Sequence, residues 1–172
     1  MKHSLRKIIE ADQIANRVKF LGKEISRDFK DHELTVIGIL KGSFIFMADL
    51  IREMTIPLRC DFLRMESYDE NGKSSDIRLV FDLTQPIQNQ DVLVVEDVLD
   101  SGKSLQFILD HLSQKKPKSL SLCCLLDKGN HPQLSKEVKY VGFKISNVYV
   151  VGYGLDFAGE YRELPYVAQL LE

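Results

Sequence analysis

Residues 91–104 read DVLVVEDVLDSGKS, an apolar run followed at once by acidic, glycine and hydroxyl residues. The run over residues 91–96 is almost all Val and Leu between its charged ends, which is typical of a strand buried on both faces of a parallel sheet. After the polar stretch, apolar residues at helical spacing predict a helix over residues 105–112. A strand, a polar loop and a helix in this order indicate one half of a βαβ unit.

The same alternation continues in both directions along the chain. Further predicted strands occupy residues 34–40, 58–65, 77–83, 119–126, 140–145 and 148–153, and further predicted helices occupy residues 14–29 and 44–54. Residues 67–76, SYDENGKSSD, are polar and predict a long loop. The pattern predicts a single α/β domain over residues 1–172, with a mainly parallel twisted sheet flanked by helices. Ligands of such sheets bind beyond the carboxyl ends of the strands.

The composition excludes several classes of protein. Of 172 residues, 44% are hydrophobic and 28% are charged, values that are typical of globular domains rather than disordered or fibrous chains. The net charge of −2 argues against binding to nucleic acid or to an anionic membrane. Three cysteines form no metal-ligand spacing, and the sequence has no apolar stretch long enough for a signal peptide or a membrane span. We therefore expect a cytoplasmic protein.

The loop after residues 91–96 combines two kinds of chemistry. Gly and hydroxyl residues at 100–104 lead into a helix, an arrangement that presents backbone N–H groups to a phosphate. A Walker A motif would need glycine five positions before Gly102, where Asp97 stands, so this is not a P-loop. Glu96 and Asp97 would repel phosphate and suit sugar hydroxyls or Mg²⁺, which together predicts a ribose 5-phosphate site. The alternative is that the acidic pair merely ends a strand and Asp100 caps the helix.

Two acidic residues in an apolar context followed by Asp100-Ser101-Gly102-Lys103-Ser104 resemble the phosphoribosyl-pyrophosphate (PRPP) signature of type I phosphoribosyltransferases. Further segments along nearly the whole chain resemble one branch, the hypoxanthine-guanine phosphoribosyltransferases. The resemblance implies the type I phosphoribosyltransferase fold, with a small hood formed by terminal segments. It also implies transfer of the 5-phosphoribosyl group of PRPP to N9 of hypoxanthine or guanine, a purine salvage reaction that gives IMP or GMP and pyrophosphate.

The resemblance assigns roles to residues around PRPP. It implies that the ribose and 5-phosphate are bound by Glu96, Asp97, Asp100, Ser101, Gly102, Lys103 and Ser104. Asp100 is also implied as the general base that takes the proton from purine N7. Lys41, Gly42 and Arg162 are implied as pyrophosphate-binding residues, with a cis peptide before Lys41. Mg²⁺ is the implied cofactor, because PRPP carries several negative charges, and its implied protein ligands are Glu96, Asp97 and Asp156.

Three other residues match the purine-binding positions of the family. Lys128 corresponds to a lysine that bonds purine O6, Tyr149 to an aromatic residue that stacks on the base, and Val150 to a residue whose backbone meets the purine edge. Since an ammonium group only donates hydrogen bonds, Lys128 favours a 6-oxo group over the 6-amino group of adenine. Ser67 and Tyr68 match the start of a mobile catalytic lid. The sequence departs from the family at Asp76, where glycine is usual.

Alternatives to this interpretation remain open at the level of sequence. The same site could favour xanthine with guanine, or another base. The chain could also be a regulator that senses PRPP and has lost turnover, although Asp100, Lys128 and Arg162 together favour the enzyme. The glycines of the segment at 152–159 lack the spacing of a dinucleotide fingerprint, which argues against a dehydrogenase. The resemblance further implies a homodimer or homotetramer.

Overall fold

The computed structural model describes residues 3–68, 76–134 and 136–171, which form two β-sheets and three α-helices. The strands are β1 Ser4–Ile9, β2 Leu34–Leu40, β3 Leu58–Tyr68, β4 Asp76–Phe81, β5 Asp91–Leu99, β6 Ser119–Asp127, β7 Val138–Lys144, β8 Val150–Val151 and β9 Val167–Leu171. The helices are α1 Ala11–Asp28, α2 Phe44–Arg52 and α3 Lys103–Gln114, and a 3₁₀ turn covers Pro132–Leu134.

The larger sheet has six strands in the order β4-β3-β2-β5-β6-β7. All neighbouring pairs are parallel except β3 and β4, which run antiparallel. The order places β2 directly beside β5, with Gly38 opposite Val95, although about fifty residues separate the two strands in the chain. The carboxyl ends of these two strands therefore meet at one edge of the sheet, where ligands of open α/β sheets bind. The predicted mainly parallel α/β fold is confirmed.

Both faces of the larger sheet are covered by helices, which explains the unbroken apolar run of β5. Leu93 and Val95 are fully buried in a cluster with residues of α1 and α2. Val92 and Val94 point to the opposite face and are fully buried in a cluster with residues of α3. Because successive side chains of a strand alternate between faces, a strand covered on both sides needs apolar residues at every position.

A second, three-stranded sheet in the order β1-β9-β8 is built from the two ends of the described chain and confirms the expected hood. Strand β1 runs antiparallel to β9, with Ser4 opposite Leu171. The strand predicted over residues 148–153 is wrong in extent, because only Val150–Val151 form a strand, which pairs with β9 in the hood. Gly152 and Gly154, with φ of 96° and 102°, turn the chain there and end the strand.

Other predicted boundaries also shift. Strand β5 continues to Leu99 rather than ending at residue 96, so the acidic pair lies within the strand. Both ends of the loop predicted over residues 67–76 belong to strands, since Ser67 and Tyr68 lie in β3 and Asp76 begins β4. Residues 69–75 of the predicted lid lie outside the described residues. In the part of the chain that the structure describes, no helix has the length and apolarity needed to cross a membrane.

Candidate active site

A cavity of about 360 Å³ opens at the carboxyl ends of β2 and β5. Its walls come from the loop after β2, the end of β5, the start of α3 and the segment after β8. Ten of the residues predicted from the sequence line it: Lys41, Gly42, Glu96, Asp97, Asp100, Ser101, Gly102, Ser104, Asp156 and Arg162. Lys103, Lys128, Tyr149 and Val150 do not line this cavity.

The acidic pair sits in the wall formed by the end of β5. The Oε2 atom of Glu96 is buried and has no hydrogen-bond partner within the described part of the chain. Burial raises the pKa of Glu96 well above its ordinary range, and the neighbouring charge of Asp97 raises it further. Burial also raises the pKa of Asp97, although its Oδ1 accepts a hydrogen bond of 2.7 Å from the Val98 N–H. The pair therefore offers carboxylate oxygens that call for hydroxyl donors or a cation.

Two glycines allow the cavity walls to approach each other closely. A Cβ atom added to Gly42 would lie 1.5 Å from Oδ2 of Asp97, so any side chain at position 42 would displace the carboxylate. A Cβ atom added to Gly154 would lie 2.1 Å from the carbonyl oxygen of Gly42. The peptide bond between Leu40 and Lys41 is cis, as the resemblance implies. The loop after β2 thus touches both β5 and the segment after β8.

The predicted phosphate-binding loop turns β5 into α3. Gly102 adopts a left-handed conformation, with φ of 73°, immediately before the helix begins at Lys103. Its carbonyl oxygen accepts the hydrogen bond of 2.8 Å from the Gln106 N–H that closes the first turn. The free N–H groups at the start of a helix favour an anion, so the geometry suits a phosphate group at residues 101–104.

The predicted base and the predicted purine lysine form an ion pair. Nζ of Lys128 lies 2.9 Å from Oδ2 of Asp100. The Lys128 side chain is 11% exposed, and that of Asp100, which lines the cavity, is 51% exposed, so a largely buried lysine contacts an exposed carboxylate. The backbone N–H of Lys128 donates to the carbonyl oxygen of Leu99, which ties the end of β6 to the end of β5. The structure therefore brings Lys128 beside the cavity through Asp100.

Arg162 and Asp156 line the cavity from the segment after β8. The Arg162 guanidinium lies 2.6 Å from Oδ1 of Asp156 and donates to the carbonyl oxygen of Gly154 at 2.5 Å. The second oxygen of Asp156 accepts a hydrogen bond of 2.8 Å from the Gly159 N–H. A guanidinium group in the cavity that Lys41 also lines suits a polyanionic ligand.

The predicted stacking residue, Tyr149, is 54% exposed, so its aromatic ring is accessible. Its hydroxyl group donates to the carbonyl oxygen of Asp156 at 3.1 Å. Its ring meets that of Phe157 edge to face, with 5.7 Å between centroids. Sequence reasoning missed Phe157, because a single aromatic residue between Asp156 and Ala158 gives no periodic signal. Val150 is buried in the hood strand β8.

The predicted magnesium ligands are only partly brought together. Among the described residues, no three His, Cys, Asp or Glu side chains converge on one point that could hold a metal, and both carboxylate oxygens of Asp156 are already bonded to Arg162 and Gly159. Mg²⁺ is commonly held by one or two carboxylates together with substrate phosphates and water rather than by a cage of protein ligands. The unpartnered Oε2 of Glu96 beside Asp97 fits that mode of binding.

Comparison with known proteins agrees with the geometry. Residues 6–158 match the sequence model of the phosphoribosyl transferase domain. The chain is 41% identical to the hypoxanthine phosphoribosyltransferase of Salmonella typhimurium, covering 99% of this chain and 98% of that one. It is 42% identical to the hypoxanthine-guanine phosphoribosyltransferase of Dictyostelium discoideum, covering 96% and 94%. A crystal structure of a hypoxanthine-guanine phosphoribosyltransferase from Bacillus anthracis superposes with a TM-score of 0.90 at 39% identity, covering 99% of this chain and 100% of that one. The chain therefore belongs to the phosphoribosyl transferase domain family and, within it, to the hypoxanthine and hypoxanthine-guanine phosphoribosyltransferases.

Proposed function

We propose that this chain transfers the 5-phosphoribosyl group of PRPP to N9 of hypoxanthine or guanine, giving IMP or GMP and pyrophosphate in purine salvage. The observation that carries the proposal is one cavity in which a helix N-terminus, an acidic pair and two cationic side chains meet. PRPP needs all three, because it presents a 5-phosphate, ribose hydroxyls and a pyrophosphate on one small molecule. The names of the relatives support the assignment of hypoxanthine and guanine as bases.

Different residues of the cavity would bind the three polar parts of PRPP. The 5-phosphate would accept hydrogen bonds from the N–H groups at the start of α3 and from the hydroxyl groups of Ser101 and Ser104. The ribose hydroxyls would donate to Glu96 and Asp97. The pyrophosphate would lie against Lys41 and Arg162, and Gly42 leaves room for it.

Mg²⁺ would be held by Glu96 and Asp97 together with oxygens of the substrate, and it would supply positive charge that offsets the phosphate groups of PRPP. The resemblance also assigns Asp156 to the metal. In the described structure this carboxylate serves Arg162 and Gly159, so its contribution would require that Arg162 turn toward the pyrophosphate.

The contact between Lys128 and Asp100 matches the chemistry of a 6-oxopurine. O6 and N7 are neighbouring atoms on one edge of the base, and O6 accepts a hydrogen bond while a protonated N7 donates one. Because Lys128 and Asp100 are 2.9 Å apart, the lysine can donate to O6 while the carboxylate accepts from N7. As the bond between C1′ and the pyrophosphate oxygen breaks, N9 forms the new bond to C1′ and Asp100 takes the proton from N7. Tyr149 would stack on the base, and Ser67 and Tyr68 would belong to a lid that excludes water.

The remaining features follow the family. We propose that residues 1–172 act as one catalytic domain, that the protein works in the cytoplasm, and that it assembles as a homodimer or homotetramer. Large hydrophobic side chains such as Phe20, Phe44 and Phe81 are 57%, 42% and 43% exposed, which leaves apolar surface for such an assembly.

The decisive experiment is nucleotide formation from PRPP and Mg²⁺, measured separately with hypoxanthine, guanine, xanthine and adenine. We expect turnover with hypoxanthine or guanine and none with adenine. Adenine turnover would contradict the role of Lys128. PRPP binding without turnover of any base would instead support a regulator that senses PRPP.

A further inference from the structure

The segment over residues 127–134, here called the strap, runs from the end of β6 into the 3₁₀ turn and lies against the predicted phosphate-binding loop. Its first residue, Asp127, is buried and accepts two hydrogen bonds on Oδ1. One comes from the Gly129 N–H at 2.7 Å, and the other joins Nε2 of His131 at 2.5 Å. His131 is itself 91% buried, since only 9% of its surface is exposed. These bonds fix the strap to the sheet at a point next to Lys128.

The far end of the strap is fixed in the core. Leu134 is fully buried in the cluster that contains the α3 residues Leu105, Ile108 and Leu109. Because both ends of the strap are held, by a buried hydrogen-bonded pair and by apolar packing, the residues between them have a defined position relative to α3.

Between these anchors the strap touches the loop directly. Nε2 of Gln133 donates a hydrogen bond of 2.8 Å to the carbonyl oxygen of Ser101. A Cβ atom added to Gly102 would lie 2.8 Å from Leu134, 2.9 Å from Nε2 of Gln133 and 3.1 Å from Cβ of His131. The strap therefore packs against the Cα of the residue that turns β5 into α3.

The bond to Ser101 has a consequence for the direction of an N–H group. The carbonyl oxygen of Ser101 and the N–H of Gly102 belong to one planar peptide group and point in opposite directions. When Gln133 holds the carbonyl toward the strap, the Gly102 N–H is turned away from it. Gly102 also lines the cavity, where a phosphate would be bound.

We propose that Gln133 is a positioning residue that orients the Gly102 N–H toward the 5-phosphate of PRPP, with the Asp127–His131 pair and Leu134 holding it in place. This inference rests on the proposed function, because it takes the loop at 100–104 as the 5-phosphate site. It assigns Gln133 no contact with substrate. Its effect is to keep the loop peptide in the orientation that binds phosphate.

The test uses Gln133→Met, which keeps the length of the side chain and removes its donor. Gln133 is exposed, so the substitution leaves the fold intact. The matched control is Gln90→Met. This removes a similar bond of 3.0 Å from a glutamine to the carbonyl oxygen of Pro86, at the opposite end of β5, together with the hydrogen bond that the Thr35 hydroxyl donates to the same side chain. Calorimetric titration of the full chain with ribose 5-phosphate and with inorganic pyrophosphate separates the two halves of the cavity.

We expect Gln133→Met to weaken ribose 5-phosphate binding about three- to tenfold, the scale of one neutral hydrogen bond. Pyrophosphate affinity should stay within twofold, and the KM for PRPP should rise while that for hypoxanthine does not. Gln90→Met should change neither affinity. Equal losses of affinity for both ligands, or no loss for either, would overturn the inference. Turnover by the unaltered chain would in that case still support the proposed function. If the unaltered chain neither turns over PRPP nor binds ribose 5-phosphate, the inference and the proposed function are both wrong.

Discussion

Asp91 opens β5 at the end of the sheet opposite the cavity, and its substitution tests how an ionised carboxylate stabilises the fold. Only 7% of the residue is exposed. Nδ1 of His32 and Nζ of Lys118 each lie 2.8 Å from Oδ2, and the Ser119 hydroxyl donates to Oδ1 at 2.5 Å. Burial alone would raise the pKa of Asp91, but the bonds from Lys118, Ser119 and His32 outweigh it and lower the pKa from an ordinary 3.8 to about 2.

The size and the pH dependence of the effect follow from this difference in pKa. Each pH unit between the folded and unfolded pKa corresponds to about 1.4 kcal/mol, so ionised Asp91 stabilises the fold by about 2 kcal/mol. The folded pKa is the lower one, so this stabilisation is complete above pH 4 and is lost as the pH falls toward 2. We expect Asp91→Asn to lower the free energy of unfolding by about 2 kcal/mol at pH 7, with the deficit shrinking between pH 4 and 2.

Urea unfolding followed by circular dichroism at pH 7, 5, 4 and 3 measures the deficit directly. The control is Asp110→Asn, because Asp110 is exposed and accepts a bond of 2.8 Å from Gln106. We expect it to change stability by less than about 0.5 kcal/mol. An Asp91→Asn deficit that is equally large at pH 3 and pH 7, or below about 0.5 kcal/mol at pH 7, would refute the reasoning. Nucleotide formation should be retained, since Asp91 is remote from the cavity.

Three substitutions test the cavity and the lysine that contacts its wall through Asp100. Asp100→Asn should lower kcat by about 10²- to 10⁴-fold, the usual range for general-base catalysis, and leave PRPP affinity within a few-fold. An unchanged kcat in steady-state kinetics would show that Asp100 is not the general base. Lys128→Ala should weaken hypoxanthine binding at least about tenfold and spare ribose 5-phosphate, because it removes a charged donor. Calorimetry that shows equal losses for both ligands would indicate a structural role through the bond to Asp100. Gly42→Ala should abolish pyrophosphate binding while the circular dichroism spectrum is kept, since its Cβ would overlap Asp97. Normal affinity would show that the loop can yield.

The fold was predictable where burial leaves a mark in the sequence. Runs such as residues 34–40 and 119–126 are apolar because helices cover both faces of the sheet, and each coincides with a strand to within one residue. Strand β1 leaves no such mark, because only one of its six residues is buried in the hood. Its pairing with β9 depends on a contact between the two ends of the chain, which no local pattern encodes.

The candidate site was predictable where its chemistry lies in one short segment. Glu96, Asp97 and the residues up to Ser104 are contiguous, so their spacing alone indicates a ribose phosphate site. The role of Gln133 depends on the chain returning to Ser101 more than thirty residues later, which appears only in three dimensions. Likewise, spacing could not reveal that Asp156 already engages Arg162.

The close contacts around Gly42 indicate that the proposed pyrophosphate site depends on a connected set of residues rather than on Lys41 alone. The carboxylate of Asp97 fills the space that a side chain at Gly42 would take, and the carbonyl oxygen of Gly42 lies where a side chain at Gly154 would be. Arg162 in turn donates to the carbonyl oxygen of Gly154. A displacement at any one position therefore moves its neighbour, since close-packed groups transmit strain. Gly42 and Gly154 have no side chain, and this allows the close contacts between the three segments. These contacts fix the distance between the acidic pair, which would bind the ribose, and Arg162, which would bind the pyrophosphate.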